Sequence, residues 1–163
     1  MVNRLEKYNL TWVEEPLFPD DFDGYRELRK RTNVPIAAGE HEFTRFGFKE
    51  LITQEIVDII QPDIRRMGGL TEAKKVAALC EAFNIPCAPH VAYAETIHFT
   101  LSCPAVKWAE DTCSPSWEKK EGGFSDAYVL GAPKAMNGFI EIQIEKPGLG
   151  IELNMEVIEN LKM

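Results

Sequence analysis

The chain has 163 residues, 45% of them hydrophobic and 27% charged, with 18 Lys and Arg against 26 Asp and Glu and a net charge of −8. This is the composition of a soluble globular protein with enough length to bury a core, and the acidic balance argues against nucleic acid or an anionic membrane as partner. No apolar run approaches the roughly 18 residues of a membrane span, and the N-terminus MVNRLEKYNL lacks the apolar core of a signal peptide, so a cytoplasmic protein is expected. Cys80, Cys87, Cys103 and Cys113 form neither a CxxC pair nor a zinc-type spacing, and reduced thiols are expected.

In chain order the pattern is strand, loop, helix, repeated. TWVEEP (11–16) is a short apolar run that ends in carboxylates and Pro. PDDFDGYRELRKRT (19–32) follows, acidic at its start and basic at its end, as a helix prefers. VPIAAGE (34–40) is a second strand and FTRFGFKELITQ (43–54) a second helix. VDIIQPD (57–63) is a third strand. LTEAKKVAALCEAFN (70–84) sets Leu70, Ala73, Val76, Ala77 and Cys80 at helical spacing, with Thr71 as the expected cap. IPCAPH (85–90) is a fourth strand, AETIHFTLS (94–102) a short helix and VKWAE (106–110) a fifth strand.

Each strand ends in an ionisable residue: Glu14, Glu40, Asp63, His90 and Glu110. The intervals are 26, 23, 27 and 20 residues, about what a βα unit with its crossover needs. Five such units in series predict an α/β fold, a parallel sheet buried on both faces and closed as part of a (β/α)8 barrel. In a barrel all five polar residues share one rim and one pocket. After Glu110 the pattern changes: CSPSWEKKEGGFSD (113–126) is turn-rich, FIEIQIEK (139–146) alternates like a half-exposed strand, and NMEVIENLK (154–162) reads as a terminal helix. The expected division is a partial barrel of units four to eight over 1–112, and a tail over 113–163 packing on the barrel or on a cap domain.

The rim residues suggest a chemistry. Glu14 and Glu40 are hard oxygen ligands suited to Mg²⁺, which would offset their repulsion. Asp63 and His90 end consecutive strands, and strands lie about 4.8 Å apart, so the carboxylate is expected to orient the imidazole and favour its charged form. That makes His90 a candidate general acid and base. Glu110, if burial keeps it protonated, is placed to donate a hydrogen bond to a developing oxyanion. Together these predict proton abstraction next to a carboxylate that chelates the metal.

WVEEP, AAGE, VDIIQPD with MGGLTEA, IPCAPH and KWAE resemble the C-terminal half of the barrel in the enolase superfamily, in its mandelate racemase branch, and PGLGIEL resembles that family's C-terminal segment. The resemblance implies Mg²⁺ bound by Glu14 and Glu40, a catalytic pair of Asp63 and His90, and Glu110 bonded to the substrate carboxylate. Muconate-lactonizing relatives use a lysine near the end of the third strand read here, where this chain has the Asp63/His90 pair. GEH, with His41 beside Glu40, is similar to sugar-acid dehydratases of the rhamnonate type and implies His41 as a substrate contact. The implied reaction is dehydration of a sugar acid to a 2-keto-3-deoxy acid, with a racemase or epimerase as the alternative and a non-catalytic half-barrel as the reading outside enzymology. The family's third metal ligand and its second-strand acid/base fall one repeat or more before Glu14, outside the chain. The expectation is therefore a portion of a longer enzyme, acting on a small carboxylate, without nucleic-acid or membrane partners, and homo-oligomeric through its open strand edges.

Four features carry two readings each. Gly68-Gly69 is a tight turn or an anion cradle; Arg65 and Arg66 are solvated charges or a carboxylate clamp. Trp12 and Trp108 are barrel core or ligand stackers, and Cys113 is a plain loop thiol or a reactive one.

Overall fold

The structure, a computed structural model, describes residues 1–111, 128–142 and 145–160. A 3-10 turn, Val2–Tyr8, precedes the first strand. Then come β1 (Val13–Glu14), α1 (Phe22–Arg29), β2 (Ile36–Ala38), α2 (Thr44–Thr53), β3 (Ile59–Ile60), α3 (Ile64–Met67), α4 (Gly69–Ala82) and α5 (Ala94–Ser102). β1, β2 and β3 form one parallel sheet in that order, with Val13 beside Ile36 and Ala37 beside Ile59. Single parallel bridges, Ile60 to Cys87 and Cys87 to Val106, continue it. The expected fourth and fifth strands are thus present as one-residue bridges, held by Ala88 N–H to Ile60 O at 2.9 Å and Lys107 N–H to Cys87 O at 3.0 Å. Five parallel strand positions, the first four each followed by helix, make this a partial α/β barrel.

The strands are two-faced. Val13, Ile36, Ala38, Ile60 and Cys87 face the helices and join one large core with Tyr25, Phe48, Ile52, Val76 and Phe99. Ala37, Ile59 and Ala88 face the barrel interior, with Trp12 packed against them. Trp12 meets Trp108 edge to face at 5.1 Å between ring centres; Trp12 packs on the interior layer, while Trp108 stays exposed. Ile36 and Ile60 are fully covered, and each such side chain contributes about 1.5–3 kcal/mol.

Helix ends explain the local geometry. Asp21 caps α1 through Gly24 N–H at 2.9 Å. Thr71 is not a cap: α4 begins two residues earlier, after Gly68 in the left-handed region at φ 112°. The Gly68-Gly69 pair turns the chain from α3 into α4, because only glycine takes that backbone without cost. α2 has no cap of its own, since Phe43 occupies that position. Glu72 from α4 supplies the acceptor instead, taking Arg45 N–H at 3.2 Å and the Arg45 guanidinium at 2.7 Å.

Beyond the barrel strands, β4 (Val129–Leu130) pairs antiparallel with β7 (Glu152–Leu153), and β5 (Ala135–Met136) pairs with β6 (Phe139–Ile140). α6 (Met155–Asn160) is the expected terminal helix. The strand expected over 139–146 is realised only at β6, and residues 143–144 lie outside the described ones. The turn-rich 113–126 stretch, with Cys113, also lies outside them. Cys80, Cys87 and Cys103 are free and buried. The Cys80 thiol beside it, together with burial, pushes the Cys87 thiol well up. Among the described residues no helix is long and apolar enough to cross a membrane.

The Glu72 carboxyl is held down at about 2 from its ordinary 4.5, first by Lys75 and then by the Arg45 backbone N–H and guanidinium. A depressed pKa stabilises the fold above the ordinary value and loses that contribution as pH falls through the folded one. Glu72→Gln is therefore expected to lower the melting temperature at pH 7. The deficit against wild type should shrink as pH drops from 4.5 toward 2, followed by circular dichroism.

Candidate metal and proton-transfer site

The interior face that buries Trp12, Ile59 and Ala88 turns polar one pleat further along. Because strand side chains alternate, the residues two positions on, Glu14, Gln61 and His90, share that face at the strand ends. Gly39 holds the corresponding place after β2. A Cβ there would meet the Phe48 ring at 3.0 Å and the Gln61 backbone at 3.2 Å, on a backbone at φ 138°. The bare glycine lets β3 come close and sends Glu40 onto the rim.

Ligand atoms of Glu14, Glu40 and His90 all lie within 4.8 Å of one another. His90 Nδ1 is 2.9 Å from Glu110 Oε2 and 3.2 Å from Glu40 Oε2, and makes an aligned hydrogen bond with neither. Four of the five rim residues expected from the sequence therefore converge. His41 also stands on the rim, its Nε2 3.3 Å from Glu40 Oε1 and 3.5 Å from Glu15 Oε2.

Asp63 does not join them as expected. Its carboxylate caps α3, accepting Arg65 N–H at 2.8 Å and Arg66 N–H at 3.3 Å, and its second oxygen lies 3.6 Å from Arg66 Nε. It makes no hydrogen bond or ion pair to His90. The unpaired amides of a helix start compete for the carboxylate at close range, and the link between the two residues is backbone, His90 N–H to Pro62 O at 3.1 Å. Glu110 stands at the end of the fifth strand position with its side chain 35% exposed, and its Oε2 accepts Val91 N–H at 2.7 Å.

Two arginines left open by the sequence now separate. Arg65 pairs with Glu95 and lies over the Tyr93 ring at 3.3 Å, tying α3 to α5. Arg66 reaches His41 Nδ1 at 3.1 Å, Glu40 O at 3.4 Å and Asp63, joining the ends of β2 and β3. Guanidinium only donates, so His41 Nδ1 accepts there and its Nε2 faces the carboxylates.

Sequence reasoning passed over Glu15 and Gln61. Glu15 sits at φ 37°, with Oε1 buried and unpartnered. Burial, then the Glu40 and Glu14 charges, raise its pKa, against the opposing effects of His41 and the Gly39 backbone. Gln61 is 3% exposed and donates from Nε2 to Glu14 Oε2 at 2.7 Å. The parity of positions 59 and 61 was the available signal for Gln61; the EEP doublet gave none for which glutamate turns inward.

Within the first cluster Glu14 and Glu40 are hard oxygen donors with crowded negative charge, which fits Mg²⁺, while the His90 nitrogen beside them is a soft partner for that ion. Carboxylates this close repel one another, and a divalent cation is the natural counter-charge.

Against known proteins, the chain matches the family model described as enolase C-terminal domain-like over residues 1–157. It is 35% identical over 153 residues to an L-rhamnonate dehydratase of Saccharopolyspora erythraea, a match covering 93% of this chain and 39% of that one. It is 34% identical over 164 residues to a D-galactonate dehydratase of Pectobacterium atrosepticum, covering 97% and 42%. An enolase from Bradyrhizobium, solved with magnesium and mandelic acid, superposes with a TM-score of 0.84 at 29% identity, covering 96% of this chain and 40% of that one. Parallel βα repeats with carboxylates and histidine on one rim define a barrel of this type. The chain belongs to the enolase superfamily, as a portion of its C-terminal barrel domain. It spans about two fifths of the length of these curated relatives.

Gly39→Ala is expected to cost about 1–3 kcal/mol, from strained backbone and overpacking together. A denaturant midpoint unchanged from wild type would show that β2 and β3 do not approach as described.

Proposed function

We propose that this chain carries the metal and proton-transfer half of a Mg²⁺-dependent enzyme that dehydrates a sugar acid to a 2-keto-3-deoxy acid. The observation that carries the reading is the convergence of Glu14, Glu40 and Glu110 on His90. The names of the two dehydratase relatives, and the mandelic acid and magnesium in the third, support the substrate and metal class. Glu14 and Glu40 are the residues that would hold Mg²⁺, which supplies positive charge to stabilise the enediolate formed when the α-proton leaves. A second divalent arrangement of Glu15, Glu40 and His41 shares Glu40 and so competes with it.

His90 does the proton work. The Glu40 and Glu110 carboxylates lie beside Nδ1 and fix the ring's orientation, and Nε2 is left to take the α-proton of the acid. In dehydration that same proton is then handed to the departing hydroxyl as its C–O bond breaks and water leaves, and the enol that remains takes a solvent proton at C3 and loses its hydroxyl proton to give the 2-keto acid. Asp63 supports this at one remove, by capping α3 and holding Arg66 against the rim. Glu110 holds Val91 and His90 in place and faces the substrate side, and His41 is a substrate contact beside the metal. The barrel is assigned to 1–112 and the tail to 113–163, packed on the barrel: His98 Nε2 lies 3.4 Å from Leu149 O, and every buried core residue among those described precedes the tail. β1 pairs only with β2 among the described strands.

Because the chain supplies two carboxylates, it is expected by itself to bind Mg²⁺ more weakly than about 10 μM, roughly −7 kcal/mol, and Glu40→Gln to weaken binding further in calorimetry. Tight binding indifferent to Glu40→Gln would refute the metal assignment. In the enzyme that contains this chain, His90→Asn is expected to abolish formation of the 2-keto acid with metal affinity nearly unchanged. Turnover near wild type would show that another group moves the proton.

A further inference from the structure

Gln61 is the most buried polar side chain on the rim, and half of its hydrogen bonding is unmet. Nε2 donates to Glu14 Oε2 at 2.7 Å, while Oε1 is buried without a partner. The orientation of the amide is not free. A carboxylate only accepts, so the nitrogen must face Glu14 and the oxygen must face away from it. A buried amide oxygen without a donor costs about 1–3 kcal/mol. An apolar side chain of the same length would avoid that cost, so the glutamine is explained by a donor that arrives with the ligand. Strand parity puts Gln61 on the same inner face as Glu14 and His90, where that ligand would sit.

We infer that Gln61 is a positioning residue of the metal site: its amide N–H turns Glu14 toward the cation, and its buried carbonyl oxygen receives an O–H donor brought by the ligand. Occupying Glu14 Oε2 leaves Oε1 as the oxygen for the metal. Partners that orient a ligating carboxylate in this way typically change metal affinity by about 10–100-fold when removed. The O–H donor is either a water carried by the cation or a hydroxyl of the acid; both have the same chemistry at Oε1. The inference rests on the metal reading given above.

Gln61→Met keeps length and burial but removes both functions. Calorimetric titration of the full 163-residue chain with Mg²⁺ alone is expected to show affinity weaker by about tenfold or more. The metal-free melting temperature is expected to be unchanged or higher, because the buried unpartnered oxygen is gone. A merely structural role would lower melting temperature and affinity together, and that outcome overturns the inference. So does Mg²⁺ affinity within twofold of wild type. Gln61→Asn, too short to reach Glu14, serves if the Met variant does not fold and is expected to show the same loss of affinity; retained affinity there also overturns it. Titrating glycerate at saturating Mg²⁺, with propionate as the control lacking hydroxyls, separates the two donors. A further loss with glycerate alone assigns the ligand hydroxyl; a loss confined to Mg²⁺ assigns the cation's water. If the wild-type chain binds no Mg²⁺ at millimolar concentration, the metal reading itself fails and this inference goes with it. If wild type binds and Gln61→Met binds equally, only this inference fails.

Discussion

A parallel strand turns successive side chains to opposite faces, and everything at this site depends on that alternation. Ile36, Ile60 and Cys87 go outward to the helices, while Ala37, Ile59 and Ala88 go inward. The inward set is dry at one level and charged at the next. Without the apolar layer of Trp12, Ile59 and Ala88 beneath them, Glu14, Gln61 and His90 would be ordinary loop-end polar groups in water. With it, they stand beside apolar side chains, where charges interact more strongly than in bulk solvent.

Crowding like charges is costly, and the surrounding elements show how the cost is managed. Arg66 threads between Glu40, His41 and Asp63, so one cation serves three groups from two strands. Val91 N–H and His90 share Glu110. Gly39 removes a side chain where the strands must approach. These are backbone and helix-end devices, and they leave His90 Nε2 and Glu14 Oε1 for a ligand.

Much of this was legible in the residues. Apolar runs ending in Glu14, Glu40, Asp63, His90 and Glu110, at βα intervals, gave the repeated unit and the shared rim. The family resemblance rested on the same residues, and the match over 1–157 agrees with it. What failed was local competition. Asp63 is expected to face His90, but the Arg65 and Arg66 amides at the start of α3 take its Oδ1, and the Arg66 guanidinium lies by its Oδ2. Thr71 looked like a cap because Gly68 and Gly69 carry no side-chain signal for a left-handed start. Gln61 was read as part of a strand, since an uncharged amide between Ile60 and Pro62 advertises nothing until its neighbour across the sheet is known.

The packing of Trp12 against small residues of other repeats has an evolutionary corollary. The indole occupies the room that Ala37 and Ala88, as small residues, leave beside it. Volume in that layer is thus shared among side chains from different repeats, far apart along the chain. Among descendants of this sequence, an alanine that grows must be matched by an indole that shrinks. Drift in the layer should appear as correlated exchange between repeats, even while the charged rim above it stays the same.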